Sequence, residues 1–93
     1  MSFLKRLEKN IARLEKNIEK DQMKIENLHA KLESKKITKA EFNIKKRQIE
    51  EKIKAMDSRS RVLQGGMTKE RRHLEEKAEE KRMKKEEKEA KKK

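Results

Sequence analysis

The chain has 93 residues, of which 52% are charged and 2% aromatic, with no Pro, Cys, Trp or Tyr and a net charge of +12. So few bulky apolar side chains exclude a compact globular core, and the length permits one small domain at most. The lack of cysteine excludes a disulfide framework, a thiol nucleophile and a thiolate zinc site, and it fits an intracellular, cytoplasmic location.

Ala, Glu, Lys, Arg and Leu dominate, as they do in long helices and coiled coils. The start, Met1 to Arg6, has no apolar run long enough for a signal peptide, and no later stretch is apolar enough to span a membrane. The positive excess is spread along the chain. Residues 1–35 have nine basic and six acidic groups, residues 36–64 nine and four, and residues 65–93 twelve and eight. Such a charge on a small body favours a polyanionic partner, whether RNA, DNA or anionic lipid.

The first segment contains a perfect repeat: Arg6-Leu7-Glu8-Lys9-Asn10-Ile11 recurs seven residues later as Arg13-Leu14-Glu15-Lys16-Asn17-Ile18. In heptad terms the a positions are Leu4, Ile11, Ile18, Ile25 and Leu32, and the d positions are Leu7, Leu14, Asp21, Leu28 and Lys35. Eight of these ten are Leu or Ile, which predicts a coiled-coil helix over residues 3–35. At about 1.5 Å per residue it is roughly 50 Å long. Asp21 in this seam either fixes register or marks a place where the seam opens to water, and the second reading is preferred because only Arg or Lys side chains from residues 52–54 are expected opposite.

The pattern restarts near residue 38. Thr38-Lys39-Ala40-Glu41 is a capping box, with Thr38 accepting from the Glu41 amide and Glu41 reaching back. Ile37 before the cap and Phe42 after it have the spacing of a hydrophobic staple. A second helix is therefore predicted over 39–64, with Phe42, Ile49, Met56 and Leu63 on one row, Ile53 on the adjoining row, and Lys46 and Ser60 filling the remaining seam positions. Folding back near residue 36 sets Leu32 by Phe42, Ile25 by Ile49, Ile18 by Met56 and Ile11 by Leu63, so residues 1–64 read as an antiparallel hairpin.

Gly65 and Gly66 then predict a helix end and a hinge over 65–68, with Thr68 capping a further helix. Residues 69–93 are helical by propensity and by pairs such as Glu80–Lys84 and Glu87–Lys91, with only Leu74, Ala78, Met83 and Ala90 apolar. This segment reads as a charged helix or tail that orders on a partner. The expected fold class is thus all-α, a long antiparallel coiled-coil hairpin followed by a highly charged C-terminal helix. With helix two ending at residue 64, Leu4 and Leu7 would extend past it, so the hairpin is expected to gain cover from a second copy, a partner protein or a nucleic acid.

No nucleophile–base pair, phosphate-cradling loop or isolated carboxylate pair is present, which argues against catalysis. His29 and His73 have no ligand-spaced companions, so neither a metal nor a cofactor is expected. Met23, Met56, Met67 and Met83 read as gap-fillers or exposed residues. The densest arginine set, Arg59, Arg61, Arg71 and Arg72, flanks the glycines and suits bidentate contact with phosphate. Lys81, Arg82, Lys84, Lys85 and the terminal Lys91-Lys92-Lys93 would add unspecific phosphate contacts. Without interleaved aromatics, base stacking is not expected.

Residues 28–53 resemble the short C-terminal domain family known as SHOCT. The resemblance rests on the leucine-bearing helix Leu28–Leu32, Ile37-Thr38 in the turn, Glu41-Phe42 and Lys45-Lys46 opening the next helix, and Ile49 and Ile53 beyond. Lys35 or Lys36 stands where that family usually has a glycine. The resemblance implies an interaction or oligomerisation module with no catalytic residues. The sequence as a whole points first to a small basic accessory protein contacting RNA backbone in a ribonucleoprotein particle such as the ribosome. A coiled-coil interaction scaffold is the alternative, and a nucleoid protein binding DNA without sequence preference is the third.

Overall fold

The computed structural model describes residues 2–91, so Met1, Lys92 and Lys93 lie outside it. It contains two helices, α1 over Phe3–Glu33 and α2 over Lys39–Lys91, and no strand among the described residues. The body measures 84 × 18 × 15 Å. The 53 residues of α2 alone account for that length, at about 1.5 Å per residue.

The turn is built by local hydrogen bonding at both of its ends. Helix α1 stops in a Schellman motif: the Lys36 amide donates to the Lys31 carbonyl at 2.9 Å and the Lys35 amide to the Leu32 carbonyl at 3.1 Å. Lys35 occupies the left-handed position that this motif requires, with φ 61°, and it is therefore outside the helix that the heptad count extended to residue 35. At the other side Thr38 caps α2, its hydroxyl accepting from the Glu41 amide at 3.1 Å, while the expected return bond from the Thr38 amide to the Glu41 carboxylate is not formed. Ile37 is half-buried and Phe42 buried, the two ends of the predicted staple. The His29 ring lies against Phe42 with centroids 4.7 Å apart, and the Lys46 ammonium sits 5.6 Å from the Phe42 ring centre. At the start of α1, Ser2 is the cap, its side chain accepting from the Lys5 amide at 3.2 Å.

The buried or half-buried positions of α1 are Leu4, Leu7, Ile11, Leu14, Ile18, Asp21, Ile25, Leu28 and Leu32, the same row that the heptad pattern selects. On α2 they are Phe42, Lys46, Ile49, Ile53, Met56, Ser60 and Leu63, followed by Gly66, Met67 and Glu70. The two rows face each other. Leu7 lies beside Gly66, and Arg71 of α2 reaches Glu8 of α1 at 3.7 Å.

The glycine hinge does not form. Helix α2 passes through Gly65 and Gly66, neither of which has a positive φ, so residues 39–64 and 69–91 are parts of one helix. Thr68 is likewise an interior residue. Its hydroxyl donates to the Gln64 carbonyl at 3.1 Å, one turn back, instead of capping a new helix. The reason is packing: continuing α2 in phase covers Leu7, which is 7% exposed, and partly covers Leu4, whereas a break at residue 64 would leave both to water.

Two outcomes follow from this backbone. Lys35→Gly removes a side chain from a left-handed position and is expected to stabilise the fold by about 0.5–1 kcal/mol after the entropic cost of glycine. Denaturant unfolding followed by circular dichroism measures this, and a lower midpoint would contradict the Schellman geometry. Gly65→Ala and Gly66→Ala should each add about 0.4–1 kcal/mol. A methyl at Gly65 meets open space and one at Gly66 meets Leu7 Cδ1 at an ordinary 3.8 Å. A drop in melting temperature for either variant would show that the helix bends there in solution.

Candidate nucleic-acid interface

A continuous α2 disperses the arginines that the sequence groups around the glycines. At about 100° per residue, Arg59 and Arg61 leave the helix about 200° apart, on opposite flanks of the seam. Arg61 is held by Asp57 at 3.1 Å, Arg71 by Glu8 at 3.7 Å, and Arg82 by Glu79 at 3.0 Å. Arg72 lies in a shallow cleft otherwise lined by Glu75, Glu76, Glu79 and Glu80. These are exposed ion pairs, worth about 0–1 kcal/mol each, so they orient the arginines without withdrawing them from a stronger partner. Lys81, Lys84 and Lys85 are exposed and share one side of α2.

The two helices also bring Asp21 and Lys52, expected opposite each other, together with Lys20, Lys24 and Arg59, which the sequence did not group with them. A groove of about 420 Å³ is lined by Asn17, Lys20, Asp21 and Lys24 from α1 and by Lys52, Ala55, Met56 and Arg59 from α2. Four cations thus line the same groove as one carboxylate, and Lys24 is the one that pairs with it. Pairing positions outward from the turn would have found part of the set, since Lys20 is about as far before the turn as Lys52 is after it.

Asp21 is only 8% exposed, although the groove opens the seam beside it. Its carboxylate pairs with Lys24 of the next turn at 3.4 Å. The other buried polar residue, Ser60, accepts from the Gln64 amide at 3.2 Å. Among the described residues no buried side-chain polar atom lacks a partner. No His, Cys, Asp and Glu group among them has the arrangement of a metal site, and no helix is long and apolar enough to cross a membrane.

No protein-family model, curated protein or solved structure shows significant similarity to this chain.

Because Asp21 takes a buried seam position at a groove that Ala55 and Met56 also line, Asp21→Leu is expected to raise stability by about 1–2 kcal/mol, as replacement of buried ionic groups often does. A thermal melt of the variant below that of the parent would mean that the carboxylate holds the register of the seam.

Proposed function

We propose that this is a small basic helical accessory protein that binds RNA backbone in a ribonucleoprotein particle of the cytoplasm, with the ribosome as the first particle to test. In this reading α1 and residues 39–70 of α2 are an antiparallel coiled-coil hairpin that serves as a strut. The Leu7–Gly66, Glu8–Arg71 and His29–Phe42 neighbours support that pairing. The observation that carries the RNA reading is the distribution of a +12 charge over a body 84 Å long and at most 18 Å wide. Such a body cannot bury its cations around a small ligand, and it offers them to an extended polyanion instead.

Arg59 in the groove and Lys81, Lys84 and Lys85 farther along α2 would supply the phosphate contacts, with Arg61, Arg71, Arg72 and Arg82 able to leave their exposed carboxylate partners. Phe42 is enclosed in the turn, which leaves Phe3 as the one accessible aromatic among the described residues. Base stacking and sequence readout are accordingly not part of the proposal.

A second reading, an interaction or oligomerisation module of the SHOCT-like kind, draws on the exposed Met23, Ile44 and Val62, at 62, 60 and 74%, all outside the seam. It predicts self-association that survives high salt, whereas phosphate binding weakens steeply as salt rises.

Sedimentation of a native lysate through sucrose, with and without ribonuclease, separates the two. The expected result is co-migration with a ribosomal subunit at moderate salt, abolished by ribonuclease. A position at the top of both gradients would end the RNA-particle reading and leave the interaction module.

A further inference from the structure

Because α2 is unbroken, its seam row can be followed past the two-helix body in constant phase. The row advances by alternating steps of four and three residues through 42, 46, 49, 53, 56, 60, 63, 67 and 70. The next positions in the same alternation are 74, 77, 81, 84, 88 and 91, which hold Leu74 and then Lys77, Lys81, Lys84, Lys88 and Lys91. The row that is apolar against α1 thus becomes a line of lysines, and all of residues 71–91 are exposed.

Lys85 is the one other lysine between 77 and 91, and at about 100° per residue all six fall within a sector of about 120°. None of the seven glutamates of residues 71–91 lies in that sector; Glu75, Glu76, Glu79, Glu80, Glu86, Glu87 and Glu89 occupy the remainder of the circumference, with Arg72 and Arg82 among them. Nine basic and seven acidic groups in this stretch nearly cancel in number, but they are sorted by side. The result is a straight helix with a cationic face and an acidic back.

We infer that the lysine face of Lys77–Lys91 is a docking surface for the phosphate backbone of base-paired RNA, an inference that rests on the RNA reading above. Charge complementarity selects the occupant. The row from Lys77 to Lys91 is about 21 Å long and carries a cation about every 5 Å, the same order as the few-ångström axial spacing of phosphates along one strand of a duplex, ~3.4 Å in B-form DNA. A second copy of the chain would set lysine against lysine. A partner helix held by apolar anchors would find only Leu74 and Ala78 on this side. No Phe, Tyr or Trp occurs between 71 and 91 and His73 is the one ring there, so the lysine face is poorly equipped to stack a run of unpaired bases, whereas a paired stem shows a regular phosphate row and keeps its bases inside. The acidic back repels phosphate, so one stem is engaged on one side.

The test exchanges charges between faces at constant composition. The variant Glu80→Lys, Lys81→Glu, Lys88→Glu, Glu89→Lys keeps the net charge of +12 but breaks the row. Binding of the full chain to a fluorescent RNA stem-loop is followed by anisotropy over a range of salt, with circular dichroism confirming equal helix content. The expected result is affinity lower by about tenfold at low salt and a salt slope reduced by about two. The control exchange Glu15→Lys, Lys16→Glu on α1 should bind as the parent does. Equal affinity and slope for the parent and the face-exchanged variant would overturn the proposal, because net charge alone would then suffice. Equal binding of a DNA duplex of the same sequence would overturn the commitment to RNA. Failure of the parent itself to bind the stem-loop is a different result, and it removes the RNA reading on which this inference stands.

Discussion

The structure depends on the phase of one helix. Helix α1 presents apolar side chains from Leu4 to Leu32, and covering them requires α2 to remain helical, in register, as far as Glu70. Two glycines inside that span cost about 2 kcal/mol relative to alanine. Leaving Leu4 and Leu7 uncovered would forfeit about 1.5–3 kcal/mol each if they were otherwise fully buried. Burial is partial for Leu4, yet the balance still favours the continuous helix. Once α2 is continuous, the hinge, the third helix and the clustered arginine site all disappear together, and the outer lysines inherit the phase of the seam.

The turn is the other fixed point, and it is settled locally. The amides of Lys35 and Lys36 are satisfied by carbonyls of the last turn of α1, and the amide of Glu41 by the Thr38 hydroxyl. These bonds leave a connector of five residues, Ser34 to Thr38, so the offset between the two rows has little freedom. Phe42, caught between His29 and the Lys46 ammonium, then sits where the first turn of α2 meets the last turns of α1. Left-handed backbone is needed at Lys35, where no glycine stands, and is absent at the two positions where glycines do stand.

Charge acts on two scales. The net +12 makes the whole body attractive to polyanions, but the contacts are decided by which cations share a side. Within the two-helix body, Lys20, Lys24, Lys52 and Arg59 gather around Asp21 in a groove that exists only because two helices meet. In the outer part of α2 the sorting comes from a single helix, and exposed pairs such as Arg82–Glu79 form on its acidic side.

The sequence by itself determined the all-helical class, both seam rows, the Thr38 cap and the position of the turn, because these follow from periodicity and from hydrogen bonds within a few residues. Leu7, Ile11, Leu28 and Phe42 are buried where the heptad pattern puts them. The tertiary structure decided the course of the chain through Gly65 and Gly66, the burial of Asp21 and the basic groove. Each of these is set by a contact between residues far apart in sequence: Leu7 on Gly66, α2 packed beside the Asp21 carboxylate, Lys24 across from Lys52. Local propensity is a preference of about 1 kcal/mol per residue, and a side chain supplied by the other helix outweighs it.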